Sequence, residues 1–206
     1  MKKVSIIAIA LLLVIGIVFA GTRAVGQNNG IVESVSKACA DMKSMKCDFR
    51  QVRTVALMDE PQVSAGRMLY KQPSALKWIY TEPSGYSYTI KDDKITIETG
   101  DGVTEIGSDA GRMFQGLAGI ILGCMSGENL KDSRMFQVTA TSQDGEWVIV
   151  LIPQRREMKR AFSEIVMVFD PDTSLLKRMV MNDQSGGSTE ITVSNVSING
   201  DYEAEW

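Results

Sequence analysis

Gly66-Arg67-Met68-Leu69-Tyr70-Lys71-Gln72-Pro73-Ser74-Ala75-Leu76-Lys77-Trp78-Ile79-Tyr80-Thr81-Glu82-Pro83 reads as two extended segments hinged at a proline. Leu76, Trp78 and Tyr80 alternate with Lys77, Ile79 and Thr81, the period of two expected when one face of a strand is buried. Val63–Lys71 forms the first strand, Pro73-Ser74 ends it, Ala75–Thr81 forms the second, and Pro83-Ser84-Gly85 turns the chain again. Two adjacent antiparallel strands rich in large apolar side chains set the pattern for the rest of the chain.

Upstream, Ile31, Val35, Ala38, Met42 and Met45 recur at steps of four and three, which predicts an amphipathic helix over Ile31–Met45. From Lys46 the period becomes two: Cys47, Phe49 and Gln51 alternate with Asp48, Arg50 and Val52 in a strand expected to reach Leu57 before Pro61 turns it. Downstream, Tyr86, Tyr88 and Ile90 alternate up to Asp92-Asp93, Ile95 and Ile97 follow, and Gly100-Asp101-Gly102 introduces Val103–Ile106. Later strands are predicted at Phe136–Thr141, Trp147–Ile152, Ala161–Phe169, Leu175–Met181 and Thr189–Ser197. Each is bounded by a turn signal, and so many short strands imply a sandwich or a barrel.

Arg112–Met125 interrupts this rhythm with apolar residues, three glycines and no charge after Arg112. A helix apolar nearly all round must be covered on most sides. It fits either a core helix packed on a sheet or a helix closing over an apolar cavity. The chain contains 12 Met, a flexible and polarizable side chain that suits a deformable apolar wall as well as ordinary core packing.

Residues 1–26 have the form of an export signal: Lys2 and Lys3, an apolar run Val4–Ala20, then small residues with cleavage expected near 24–26. A retained N-terminal anchor is the alternative, since the run nearly suffices to cross a bilayer. Residues 27–206 are expected to form one domain. With Lys2, Lys3 and Arg23 removed from 22 basic residues, 19 remain against 25 acidic ones. That balance argues against a nucleic-acid partner. Cys39, Cys47 and Cys124 are three buried apolar residues, or two of them pair, Cys39 and Cys47 being nearest in sequence.

The chain has no His, which removes Ser-His-Asp and Cys-His catalysis and nearly all catalytic zinc sites. No phosphate-binding glycine motif is present, and Asp92-Asp93 and Asp170 with Asp172 read as turns. No enzyme, cofactor or metal is therefore expected. Arg155, Arg156, Lys159 and Arg160 form either a solvated connection or a docking patch for an acidic partner or lipid head group.

Taken together, Phe49-x-Gln51, Gly66-x-x-x-Tyr70-Lys71-x-Pro73-x-x-x-Lys77-Trp78-x-Tyr80-x-x-Pro83, the strand ending in Pro153, Phe169-Asp170 with Leu176, and Val193-Ser194-Asn195-Val196-x-x-Asn199 resemble the LolA family of periplasmic outer-membrane lipoprotein carriers. The resemblance runs in order through residues 27–206. It implies an α+β fold: an antiparallel, incomplete, half-open β-barrel enclosing an apolar cavity with a helical lid. It further implies a monomeric periplasmic carrier that takes acyl chains of lipid-modified proteins from an inner-membrane ABC exporter and delivers them to an outer-membrane acceptor. Phe49, Leu69, Leu76, Trp78, Tyr80, Met113, Phe114, Leu117, Ile120 and Ile121 are the expected cavity and lid residues. The family commonly carries Arg before the proline, to latch the lid by hydrogen bonds. Here that position is Gln72, a neutral donor without the planar charged fork. Two other functions suit the same fold: a carrier of another lipid, such as a glycolipid or a lipid-linked pigment, and a regulatory domain that senses lipids or lipoproteins.

Overall fold

The computed structural model describes residues 29–56, 58–73, 75–91, 94–105, 123, 127 and 130–206. The N-terminal signal segment and nearly all of the apolar Arg112–Met125 stretch lie outside them. A helix, α1, spans Asn29–Asp41 and leads into strand β1, Ser44–Thr54. There follow β2 (Gln62–Lys71), β3 (Ala75–Glu82), β4 (Ser84–Lys91), β5 (Lys94–Thr99) and β6 (Gly102–Glu105). The second half contributes β7 (Phe136–Gln143), β8 (Glu146–Pro153), a short helix α2 (Arg156–Ala161), β9 (Phe162–Phe169), β10 (Leu176–Asp183) and β11 (Ser188–Ile198).

All eleven strands form one antiparallel sheet in the order β6-β5-β4-β3-β2-β1-β11-β10-β9-β8-β7. Two meanders are welded where β1 pairs with β11, from Met45 opposite Ile198 to Thr54 opposite Ser188. Among the described residues the edges β6 and β7 do not pair with one another, so the barrel is incomplete. Helix α1 packs on β7 and is bonded by Gln72, in the β2–β3 turn. A flat sheet would set β2 and β7 roughly 29 Å apart at ~4.8 Å per strand. A 13-residue helix is only about 20 Å long. The sheet must therefore curl around α1.

Strand alternation puts the core on the concave side. Met45, Cys47 and Phe49 of β1, Met68 and Tyr70 of β2, Leu76 and Trp78 of β3, Ile165 and Met167 of β9 and Met179 and Met181 of β10 join one buried cluster with Ile31, Val35, Cys39 and Met42. Cys47 is a free thiol, so no Cys39–Cys47 bridge forms. Burial, reinforced by Asp48, pushes the Cys47 thiol up to about 12, and burial raises Cys39 to about 11.

Three boundaries depart from the sequence expectations. Helix α1 stops at Asp41 rather than Met45: a spacing of three keeps Met42 and Met45 on the same core across the helix-to-strand junction, so periodicity alone does not mark the break. Strand β1 ends at Thr54 rather than Leu57. The basic cluster after Pro153 is not wholly irregular, because Arg156–Ala161 is helical and β9 starts at Phe162. The choice between sandwich and barrel resolves to a single open sheet.

Candidate functional site: an apolar hollow closed by a helix

The concave face carries a ladder of aromatic rings running out from the core. Phe49 packs on Trp78 at 4.7 Å between ring centroids and edge-on against Tyr80 at 5.3 Å. Tyr80 stacks on Tyr86 at 4.5 Å, and Tyr88 meets Tyr80 at 6.0 Å and Tyr86 at 5.6 Å. The register explains the ladder, since Trp78 lies opposite Tyr88 and Tyr80 opposite Tyr86. The Tyr80 hydroxyl donates to Gln51 Oε1 at 3.3 Å, while burial and then its neighbours Tyr86 and Tyr88 push its pKa up. Within this apolar wall the Trp78 indole N–H is buried with no hydrogen-bond partner among the described residues.

Gly66 makes the ladder possible. A Cβ at this position would stand 1.9 Å from the Ile79 carbonyl oxygen and 2.9 Å from the Phe49 ring. Gly66 lies opposite Phe49 in the β1–β2 pairing and beside a register shift in the β2–β3 pairing. The missing side chain lets the Phe49 ring cross the strand and reach Trp78 and Tyr80.

Beside α1 the described part of the hollow is filled rather than empty. Ile31, Val35 and Cys39 of α1 are buried, with Met42 just beyond the helix, and the cleft beside them, lined by Met42, Met45, Met167, Phe169 and Leu176, holds only about 30 Å³. That is about one water molecule's share of liquid volume. A sizeable apolar guest therefore does not fit beside α1 in this arrangement.

Beyond its buried apolar face, α1 is held by few polar contacts. The helix has no basic residue in its last turn, so its terminal carbonyls depend on donors from elsewhere. Gln72 Nε2 donates to the Ala40 carbonyl at 3.0 Å and to that of Cys39 at 3.5 Å. From the other side Asn199 Nδ2 reaches the Asp41 carbonyl at 3.5 Å, and its Oδ1 accepts from the Lys43 N–H at 2.7 Å. Gly127 packs against Ser36 and Cys39, where a Cβ would come within 3.1 Å of Ser36 Cα. Its φ of +75° independently favours glycine.

Of the residues singled out in the sequence, Phe49, Leu76, Trp78 and Tyr80 meet in the core or packed against it, and Gln72 touches α1. Leu69 does not line the hollow. It alternates with Met68 and Tyr70, lies opposite Lys46 and Lys77, and is fully buried on the convex side. Met113, Phe114, Leu117, Ile120 and Ile121 lie outside the described residues. Tyr86, Tyr88 and Gln51 join the wall although they were not among the expected cavity residues; their parity relative to Trp78 and Phe49 is the signal that finds them. The basic cluster Arg155, Arg156, Lys159 and Arg160 is exposed on and before α2.

The fold and site together define an open antiparallel half-barrel whose apolar concave face is covered by helix α1. Residues 40–206 match the family of the outer membrane lipoprotein carrier protein LolA, and the chain belongs to it. This is a family of carriers, not of enzymes. The fold is similar to that of lipoprotein LppX from Mycobacterium tuberculosis, at TM-score 0.50 and 16% identity over 85% of this chain and 98% of that one. It is also similar to an uncharacterized conserved protein from Thermus thermophilus, at 0.51 and 10% over 86% and 90%. The Pseudomonas aeruginosa MucA/MucB complex gives 0.50 and 11% over 85% of this chain and 59% of that one. No curated protein matches the sequence. No helix among the described residues is long and apolar enough to cross a membrane.

Proposed function

We propose that the protein shelters the acyl chains of lipid-modified proteins in the periplasm and shuttles them from an inner-membrane ABC exporter to an outer-membrane acceptor, residues 1–26 being removed on export. The observation that carries this reading is a continuous apolar concave face occupied by a helix held through neutral hydrogen bonds. Burying an acyl chain contributes about 0.8 kcal/mol per methylene, so a 16-carbon chain gains roughly 12 kcal/mol. Displacing Ile31, Val35, Cys39 and Met42 costs on the order of 8 kcal/mol at about 2 kcal/mol per side chain. For one chain the cost cancels about two thirds of the gain, which moderates the affinity of a carrier that must both load and release. The buried Trp78 N–H is one hydrogen bond short, and an acyl ester or amide carbonyl supplies it.

A second reading keeps the hollow and changes the task. The likeness to MucB, which is seen bound to MucA, suits a regulatory domain that senses lipid and engages a protein partner. A glycolipid or lipid-linked pigment is the alternative cargo. Gel filtration with a synthetic triacylated lipopeptide tests the carrier reading. A soluble one-to-one complex supports it, and lipopeptide that remains aggregated in the void volume contradicts it.

A further inference from the structure

The convex face carries a cluster of cations, on the side of the sheet opposite the hollow. Lys46 of β1, Arg67 and Lys71 of β2 and Lys77 of β3 project from it on adjoining strands, in a chain whose net charge is −3. The segment after β11 folds back onto these cations. Lys46 Nζ donates to Glu205 Oε1 at 2.8 Å, Arg67 Nη1 to Glu205 Oε2 at 3.3 Å, and Lys77 Nζ to the Glu205 backbone carbonyl at 3.3 Å. Lys71 pairs with Glu203. Tyr202 donates to Ser197 Oγ at 2.8 Å, with the Lys46 ammonium 5.9 Å from its ring centroid. Leu69, between Lys46 and Lys77 in the strand pairing, has 0% of its surface exposed. With Glu205 tied to both neighbours, the segment lies over it.

We infer that Asp201–Trp206 is an intramolecular stopper on a docking surface formed by Lys46, Arg67, Lys71, Lys77 and Leu69, and that the partner displacing it is an acidic segment of another protein. The stopper is itself the template for that partner. It offers two carboxylates two residues apart and a backbone carbonyl, a peptide pattern that a lipid phosphate does not reproduce. Its grip is exchangeable because the ion pairs are wet: Lys46, Arg67 and Lys71 side chains are 34%, 44% and 48% exposed. Exposed pairs are individually weak. Being tethered, the segment competes at an effective concentration that a free peptide must match, so the face opens only to a partner with more carboxylates or more contacts.

The test uses the full chain and a fluorescein-labelled peptide of sequence Asp-Tyr-Glu-Ala-Glu-Trp, read by anisotropy at low salt. Glu203→Gln/Glu205→Gln should bind it at least tenfold more tightly than the wild type does. Adding Lys46→Gln/Arg67→Gln should abolish the gain. Asp59→Asn/Glu60→Gln, with the same change in net charge away from this face, should behave like wild type. Equal binding by the wild type and Glu203→Gln/Glu205→Gln overturns the proposal, as does an equal gain in the charge-matched control. Binding of that variant to phosphatidylglycerol vesicles but not to the peptide would also overturn it, assigning the face to a membrane.

Discussion

The side-chain amide of Gln72 donates to the main-chain carbonyl of Ala40 at 3.0 Å, tying the turn between β2 and β3 to the last turn of α1. This bond joins the residue before Pro73 to the helix that packs on the concave face. Gln72→Ala removes a neutral hydrogen bond worth about 1 kcal/mol, roughly fivefold in the population of displaced α1. Amide exchange at Cys39–Lys43 should accelerate accordingly. Gln72→Arg adds charge assistance and should slow both exchange and release of a bound apolar dye, by up to about tenfold for 1.4 kcal/mol. Unchanged exchange in both variants would mean that this contact does not latch the helix.

Trp78→Phe deletes a buried N–H that has no partner among the described residues while keeping an aromatic ring against Phe49. Stability should change little, since removing an unsatisfied donor offsets the lost ring volume. Affinity for an acyl ester should fall about fivefold, the worth of one neutral hydrogen bond, while affinity for a plain alkane probe stays the same. Parallel losses for both probes, measured by calorimetry, would show that the indole N–H does not contact cargo.

Gly66→Ala places a methyl 1.9 Å from the Ile79 carbonyl. Overpacking typically costs about 1–3 kcal/mol and occasionally more, and backbone atoms cannot step aside as a side-chain end can. The urea midpoint should drop by the upper end of that range or beyond. A midpoint within error of wild type would show that the β2–β3 approach relaxes freely.

Burial holds the Cys39 and Cys47 thiols neutral, at about 11 and about 12. In a Cys124→Ser background, neither should react with a thiol reagent at pH 8. Lipopeptide binding that displaces α1 should expose Cys39 to labelling and leave Cys47 on β1 protected. Because both folded values lie above the ordinary 9.0, their contribution to stability is complete below pH 9 and is lost as the pH rises toward 12. Thermal melts should show this alkaline loss, reduced in Cys47→Ser.

Glu205 is held below the usual carboxylate range, chiefly by its hydrogen bond from Lys46, with Arg67 also contributing. The ionised clasp is thus favoured above the ordinary value of 4.5 and is lost as the pH falls through the depressed value. Lys46, Arg67, Lys71, Lys77, Tyr202 and Glu203 are the groups that surround it. Nuclear magnetic resonance of the Glu205 carboxyl carbon should titrate below 4.5, and the Lys46→Gln change should move its midpoint back up. A midpoint unaffected by Lys46→Gln would mean that the clasp is open in solution.

Strand alternation made most of this fold legible in advance. The faces of β1 and β4 follow from Phe49 and Tyr88, each flanked by polar neighbours, and that of β3 from the alternation of Leu76, Trp78 and Tyr80. Leu69 was misleading because a large apolar residue on a strand is ordinarily assigned to the core. Its partner on the convex side comes from a segment more than 130 residues away, which local pattern cannot show. The end of α1 was hidden for a related reason. Its break is made by Gln72 and Asn199 donating from distant elements, while Met42 and Met45 keep a helical spacing across it. The eleven-strand order depended on the β1–β11 pairing, a long-range register that hydrophobic periodicity does not encode.

A hollow that carries acyl chains of lipid-modified proteins should be recoverable with that cargo inside. Native mass spectrometry of the protein recovered from its own cell envelope tests it most directly. The expected result is a population carrying an acylated polypeptide, released as such on collisional activation. Recovery of only empty protein, or of an occupant lacking acyl chains, would contradict it.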